Sequence, residues 1–221
     1  MAMKKMIFLL IFIYGISCAG QSEKLTRKEK EAFLVGMFNH TSGSITIPLH
    51  PIFKNRINFL FTGDQKLIQI FKDTLQAYSN QTGMRFEIKN DGFLQIYKPD
   101  NQVNPFKRFF KEKKTSNTFY DEELDQEFKT NILLLNPKAF ETKNEKLLFL
   151  LGAFINCGQR KEGNYEYAYP NTNYINVICK ILKRTGSKIT DKETVKYNTP
   201  GYKKIVFEPS NDLEALLSKY N

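Results

Sequence analysis

The feature that most constrains this chain is a continuous apolar segment in its second half, Asn144 to Asn156. Its apolar side chains cover more than one face of a helix, and a helix that is apolar nearly all round is a buried one. Gly158 follows the segment, as a glycine often follows the last turn of a helix. We therefore predict that this segment is the long central helix of one core.

The rest of the chain alternates between strand-like and helical patterns. We predict a strand at Arg56–Phe61, a helix from Gln65, and two further strands on either side of the turn at Asp91. Another apolar strand ends at Leu135 before the central helix, and two helices follow that helix. This order predicts an α+β fold, a small mixed sheet with helices packed on it. We detect no internal repeat.

The N-terminus has the pattern of an export signal. Lys4 and Lys5 precede about nine apolar residues, a run too short to span a bilayer, which needs roughly 20 residues. The cysteine that follows, Cys18, lies in a segment that resembles a bacterial lipobox. That resemblance implies cleavage before Cys18 and a lipid anchor on its thiol. The alternative is ordinary cleavage near Ala19, which gives a soluble periplasmic or secreted protein.

These predictions divide the chain into a signal peptide (1–17), a lipid-anchored tether with a short helix (18–44) and one globular domain (45–221). They place the protein outside the cytoplasm, in the cell envelope. The net charge of +10 suits anionic partners, but export excludes nucleic acid from them. The expected partners are the membrane, through lipidated Cys18, and an envelope protein or glycan.

Two cysteines remain after Cys18, namely Cys157 and Cys179. Exported proteins form disulfides, and one pair of cysteines has one connectivity. The alternative is two independent buried thiols, because a free cysteine packs as a small hydrophobic side chain. The sequence leaves both forms open.

Two stretches are candidate partner surfaces. In the first, basic and aromatic residues are interleaved, which indicates either a surface for a membrane or an acidic partner or a solvated insertion with a small core of its own. In the second, alternating tyrosines either line a groove or form a short edge strand. The candidate residues are Phe106, Lys107, Arg108, Phe109 and Lys111 in the first stretch and Tyr165, Tyr167 and Tyr169 in the second.

The order of elements around the central helix resembles the zincin metalloproteases, whose long helix carries His-Glu-x-x-His. An alignment on Leu151-Gly152 puts Glu145 and Phe149 at the ligand positions and Lys146 at the base position. Phenylalanine has no lone pair for zinc, and a lysine would repel the metal. The resemblance therefore implies a degenerate, zincin-like core, similar to a group of uncharacterised exported bacterial proteins.

Other catalytic patterns are missing from the sequence. It contains no Gly-x-Ser-x-Gly, phosphate-binding glycine loop or dinucleotide fingerprint, and its two histidines, His40 and His50, lie far from the central helix in the chain. We therefore predict no metal site, no cofactor and no catalytic residue. The predicted function is that of a non-catalytic envelope lipoprotein which binds a protein or a glycan. An envelope hydrolase that uses carboxylates, of the peptidase or glycosidase class, is the alternative.

Overall fold

A computed structural model describes residues 25–38, 45–47, 49–51, 55–61, 64–90, 93–161, 163–195 and 201–220. Cys18 and the predicted signal peptide lie outside these residues, so the structure does not test the processing at Cys18 or the boundary at residue 17. The elements are, in chain order, α1 (Arg27–Met37), β1 (Ile45–Thr46), β2 (Arg56–Phe61), α2 (Gln65–Thr82), β3 (Glu87–Asn90), β4 (Phe93–Tyr97), a 3-10 turn (Lys107–Phe109), β5 (Phe110–Asp121), β6 (Gln126–Leu135), α3 (Lys143–Cys157), β7 (Gly158–Lys161), β8 (Asn164–Tyr169), α4 (Thr172–Arg184), β9 (Lys188–Val195), β10 (Tyr202–Glu208) and α5 (Asn211–Leu217), followed by a 3-10 turn (Ser218–Tyr220).

The described strands form three sheets, ordered β2-β4-β3, β7-β8-β10-β9 and β1-β6-β5. Every pairing in them is antiparallel. The α+β class is therefore confirmed, whereas the single small mixed sheet that we predicted is replaced by three antiparallel ones. Short hairpin connections join most neighbouring strands, and such connections suffice for antiparallel pairs only.

The first and third helices, α1 and α3, pack backbone against backbone. A Cβ on Gly36 of α1 would lie 2.8 Å from the backbone nitrogen of Ala153, and a Cβ on Gly152 of α3 would lie 3.3 Å from the Cα of Gly36. Each added carbon would also overlap a phenylalanine carbonyl, that of Phe149 for Gly36 and that of Phe33 for Gly152. The glycines therefore allow an approach that a side chain would prevent.

These two helices are copies of one sequence pattern. A shift of 116 residues (152 minus 36) superposes the glycines, and seven of thirteen positions are then identical. Both copies begin at a threonine N-cap whose side chain accepts from the backbone three residues later. The identical pairs are Thr26 and Thr142, Glu29 and Glu145, Lys30 and Lys146, Phe33 and Phe149, Leu34 and Leu150, Gly36 and Gly152, and Phe38 and Phe154.

The repeat continues into the sheets. After α1, the strands are ordered β2-β4-β3 with α2 between β2 and β3; after α3, they are ordered β8-β10-β9 with α4 between β8 and β9. The fold is thus an internal duplication, and our prediction that the chain has no repeat was wrong. The hairpin β5–β6 lies between the two copies and has no counterpart after β10.

The core is centred on the paired helices. In α3, the predicted central helix, every residue from Leu147 to Phe154 is buried. In α1, every residue from Lys30 to Met37 is buried as well, and its apolar side chains belong to the same cluster. The short helix that we assigned to the tether is therefore part of the core. Among the helices described, none is long and apolar enough to cross a membrane.

Candidate nucleic-acid interface

The hairpin β5–β6 projects as a ribbon of 12 and 10 residues. Its strand β6 lies between β1 and β5, so β5 is the edge of this sheet. The register shifts between Lys114 and Thr118, which marks a bulge. Apart from the bulge and the strand ends, the side chains of β5 are exposed along its length. The ribbon therefore presents a long accessible edge.

The half of the ribbon that lies near the core is basic. Four exposed lysines occur within eight residues, and none of them forms an ion pair with a described residue. One carboxylate, that of Glu112, lies among them and accepts a hydrogen bond from Asn131 Nδ2 at 2.6 Å. These lysines are called the lysine edge below: Lys107, Lys111, Lys113 and Lys114.

The geometry of the strand spaces these charges regularly. Lys111 and Lys113 pair across the ladder with Leu134 and Ile132, so both project from one face of the ribbon. Residues two apart in a strand are separated by about 6.6 Å. Lysines on an edge strand also discourage pairing with another sheet, and that structural role is compatible with binding an anion.

The opposite half of the ribbon, at its tip, is acidic. Its exposed carboxylates are Glu122, Glu123, Asp125 and Glu127. Asp121 is instead bound to the buried His50, with Nε2 and Oδ2 2.6 Å apart. Charge is therefore segregated along the ribbon, and a polyanion would be attracted to the half next to the core and repelled from the tip.

Arg108 fastens the basic half to the paired helices. Its Nε lies 3.1 Å from Glu31 Oε2 in α1, its Nη1 lies 3.7 Å from Glu145 Oε2 in α3, and both carboxylates are buried. Nη1 also donates to the carbonyl oxygen of Ala139 at 3.0 Å. This arginine, which we predicted to be part of a partner surface, is therefore occupied within the protein.

Glu31 is the centre of that network. Besides Arg108, it accepts from Arg27 Nε at 2.9 Å and from the hydroxyl of Tyr78 at 2.8 Å. Burial, together with the neighbouring Glu31 carboxylate, raises the pKa of Tyr78 well above its usual range. The hydroxyl consequently stays protonated and keeps donating to Glu31, which links α2 to α1 and the ribbon.

The aromatic residues of our two candidate surfaces are in the core. Phe106 and Phe109 are fully buried, and Phe109 packs on Phe140 with ring centroids 4.9 Å apart. The two phenylalanines pack the start of the ribbon against the core. Of the first candidate surface, only the cations are therefore left to contact a partner. Of the five residues that we named in this stretch, Lys107 and Lys111 are the exposed ones.

The three tyrosines of the second surface are buried as well. Tyr165, Tyr167 and Tyr169 project from β8, which has a partner strand on each side and is therefore not an edge strand. The hydroxyl of Tyr167 donates to the carbonyl oxygen of Leu150 at 2.9 Å, and its ring stacks on Phe207. Both predictions for this stretch, a groove lining and an edge strand, are corrected because β7 and β10 enclose β8.

The two cysteines are free thiols in the structure. Cys157 ends α3 and donates from Sγ to the carbonyl oxygen of Ala153 at 3.2 Å. Burial raises the pKa of Cys157 far above its ordinary value, and burial also raises the pKa of Cys179. Of the two forms left open by the sequence, the structure has the independent thiols, which are packed as apolar groups.

The positions that the zincin alignment singled out do not form a metal site. Glu145 accepts from the backbone nitrogen of Glu141 at 3.1 Å and faces Arg108, while Phe149 packs on Phe140. Within the part of the chain that the structure describes, no group of three or more His, Cys, Asp or Glu side chains could hold a metal ion.

Comparisons with known proteins extend this description. No protein-family model and no curated protein matches the sequence. Among solved structures, mesophilic variants of the homing endonuclease I-DmoI are similar at 10% identity with a TM-score of 0.47, over 87% of this chain and 95% of that one. The structure of I-DmoI in complex with DNA and Mn is similar at 9% identity with a TM-score of 0.45, over 87% of this chain and 94% of that one.

A second protein gives a match of the same strength. Full-length DUF199/WhiA from Thermatoga maritima is similar at 10% identity with a TM-score of 0.45, over 92% of this chain and 60% of that one. The N-terminal LAGLIDADG domain of DUF199/WhiA gives 10% identity and a TM-score of 0.40. At these values, the matches assign this chain to no family and to no activity.

Several of our predictions are overturned by these findings. The similar structures are I-DmoI and WhiA rather than zincins or envelope lipoproteins, and one of them holds DNA. The zincin-like resemblance, the envelope-lipoprotein and envelope-hydrolase functions, the exported or lipid-anchored location and the membrane, protein or glycan partners are therefore wrong. Our exclusion of nucleic acid depended on export alone, and it is wrong as well.

Proposed function

We propose that this protein binds nucleic acid through phosphate contacts made by the lysine edge. The observation that carries the proposal is the set of four exposed lysines in eight residues, none of them in an ion pair with a described residue. A lysine that is already paired must give up its partner before it binds a phosphate. These four lysines have no ion pair with a described residue to break before they bind a phosphate. The packed start of the ribbon fixes the position of the backbone that carries them.

The net charge supports the same proposal. The whole chain carries +10, and the basic half of the ribbon is separated from the acidic tip. When lysines neutralise the phosphates of duplex DNA, condensed counterions are released, and this release favours binding most strongly at low salt. Contacts of this kind position a protein on a duplex without reading its sequence.

We propose binding without cleavage. Hydrolysis of a phosphodiester by bound metal ions requires carboxylates that converge on the ions, and no group of three or more His, Cys, Asp or Glu side chains in the described residues could hold a metal ion. The two buried carboxylates nearest the ribbon, Glu31 and Glu145, both face Arg108. They stabilise the protein, and neither is available to hold a metal ion.

The experiment measures the affinity for labelled duplex DNA by fluorescence anisotropy over a range of salt concentrations. In one variant, the four lysines of the lysine edge are changed to glutamine. If all four contact phosphates, the slope of log K against log salt should become shallower by about 3.6, or about 0.9 for each lysine.

A matched control removes the same amount of charge elsewhere. Lys66, Lys72, Lys180 and Lys219 are exposed and lie on helices or the final turn, not on the ribbon itself. Changing these four to glutamine lowers the net charge equally and should leave most of the slope intact. Equal slopes for the two variants would show that the lysine edge is not the binding site, and wild-type protein that binds no duplex would refute the function.

A further inference from the structure

A groove opens beside the first residue of the lysine edge. Its volume is about 760 Å³, within the range of about 300–1,000 Å³ that is usual for small-molecule sites. Its wall is built from the start of α1, the end of α2, the segment that follows β4 and the start of the ribbon. The residues that line it include Arg27, Met84, Val103, Pro105, Lys107 and Arg108.

The charge of this groove favours an anion. Three cations, Arg27, Lys107 and Arg108, line it, and no aspartate or glutamate does. Glu31 lies behind the two arginines and pairs with both, and Glu145 also faces Arg108, which leaves a formal charge of +1 (three minus two). Arg108 also keeps one buried nitrogen, Nη2, without an acceptor among the described residues.

The remaining walls favour a flat apolar group with polar edges. Met84, Val103 and Pro105 contribute apolar surface, and the side chain of Val103 is exposed at the mouth, at 78%. Two side-chain amides stand beside them. Gln102 accepts from the backbone nitrogen of Arg85 at 3.3 Å, and Asn104 accepts from that of Phe106 at 2.9 Å. These bonds use the amide oxygens, so the amide nitrogens remain as donors.

We infer that this groove takes an unpaired nucleotide of a bound nucleic acid, with the phosphate on the cations and the base against the apolar wall. The inference rests on the proposed function, because the lysine edge brings the nucleic acid to the mouth of the groove at Lys107. A paired base is held in the stack and presents an edge only. An unpaired base offers its face to the apolar wall, and burying apolar area there stabilises binding for any base type.

The test compares two labelled DNA probes that bind the full chain: a blunt duplex, and the same duplex with a short single-stranded overhang. The wild-type protein should bind the overhang probe about fivefold more tightly, as expected when one base buries roughly 40 Å² of apolar surface. In the variant Val103→Asp, a carboxylate enters the mouth of the groove and should abolish that preference. Because Val103 is exposed, this variant should fold, and it should still bind the blunt duplex.

The control adds a carboxylate at a site of similar exposure. Leu49 is 83% exposed and does not line the groove, so Leu49→Asp should keep the preference for the overhang. Equal affinity of the wild-type protein for the two probes would overturn the groove inference while leaving duplex binding intact. A preference that survives in Val103→Asp would overturn it as well. Failure to bind either probe would refute the proposed function itself, and the two failures are therefore distinguishable.

Discussion

At the scale of single residues, the contact between Gly36 and Gly152 determines how the two halves meet. The side chains that flank these glycines are large, but the glycines themselves let the backbone of one helix reach the carbonyl groups of the other. Close backbone approach of this kind brings the apolar faces of α1 and α3 into contact on both sides of the glycine pair. The hydrophobic contacts nearby then contribute to stability in proportion to the area that they bury.

The variant Gly152→Ala tests this contact. A methyl group there would overlap the carbonyl oxygen of Phe33, a backbone atom that moves only if α1 moves. Overpacking of this kind costs about 1–3 kcal/mol, and the better helix propensity of alanine offsets roughly 1 kcal/mol. We expect a net loss of stability, measured as a lower urea midpoint. Lys72→Ala, on the exposed face of α2, should leave the midpoint nearly unchanged; an unchanged midpoint in Gly152→Ala would contradict this account.

At the scale of elements, the ribbon is held at both ends by polar side-chain contacts with buried residues. Arg108 fastens its start to α1 and α3, and His50 fastens its tip to the segment before β2. The imidazole of His50 is fully buried and packs on the ring of Phe128, with centroids 4.7 Å apart. Asp121 also accepts from the backbone nitrogens of Glu123 and Leu124, so one carboxylate fixes both the tip and its anchor.

The anchor of the tip gives a prediction about pH. The hydrogen bond from His50 is the main cause that lowers the pKa of Asp121 below its ordinary value. A carboxyl group whose pKa is lowered by folding stabilises the folded state above its unfolded pKa, and that contribution is lost as the pH falls through the folded pKa. We therefore expect the stability of the ribbon to decrease on acidification below about pH 4.

Hydrogen exchange measures this effect locally. In Asp121→Asn at neutral pH, the amides of residues 118–129 should exchange faster, while those of α3 should keep their protection. Glu122→Gln is the control, since Glu122 is exposed at the same tip. If the amides of the Asp121→Asn ribbon exchange at the wild-type rate, the pair with His50 does not hold the tip.

At the scale of the whole molecule, the two copies share one core and depend on each other. Each half presents a glycine-containing helix whose apolar face is covered by the helix of the other half. Each helix also packs on elements of its own half, α1 on α2 through Phe38 and Phe71 and α3 on β8 through Phe154 and Tyr167, but its glycine face is covered by the helix of the other half. A helix with an exposed apolar face is unstable as a monomer in water, because the hydrophobic contribution to folding comes from its burial.

Two fragments test this dependence. The chain can be divided after Pro137, in the loop between β6 and α3. We expect the fragment 138–221 alone to be unfolded or self-associated by circular dichroism and analytical ultracentrifugation. Mixing it with fragment 1–137 should restore a 1:1 complex with the far-ultraviolet spectrum of the intact protein. A folded, monomeric fragment 138–221 would contradict the shared core.

Local patterns in the sequence were reliable where local contacts determine the structure. The helix that we predicted from Gln65 begins there, after an Asp64 N-cap that accepts from Lys66 and Leu67, and Gly83 ends it in the left-handed conformation. Strand β9 was missed, because Lys188 to Val195 has no apolar alternation to mark it. That strand depends on its partner β10, and a pairing between strands cannot be recognised from one of them alone.

The repeat was present in the sequence, yet we did not detect it. Seven identities in thirteen residues are visible once Gly36 is placed on Gly152, but nothing in either segment alone shows that the two helices touch. We instead placed Leu151-Gly152 on the zincin pattern, from which this sequence departs at both ligand positions and at the base position. The glycine packs against a helix, and that role depends on residues more than 100 positions away in the chain.

By itself, the sequence determined the strands β2, β3, β4 and β6, the start of α2, the α+β class and the burial of α3, because apolar periodicity acts over a few residues. The tertiary structure alone decided that the alternating tyrosines face the core, that Arg108 is paired internally and that the lysine edge forms no ion pair with a described residue. The sequence of a strand does not say which of its two faces is buried, and the sequence around an arginine does not say which carboxylate it pairs with. Only the packing of distant elements determines which face is covered and which charges meet.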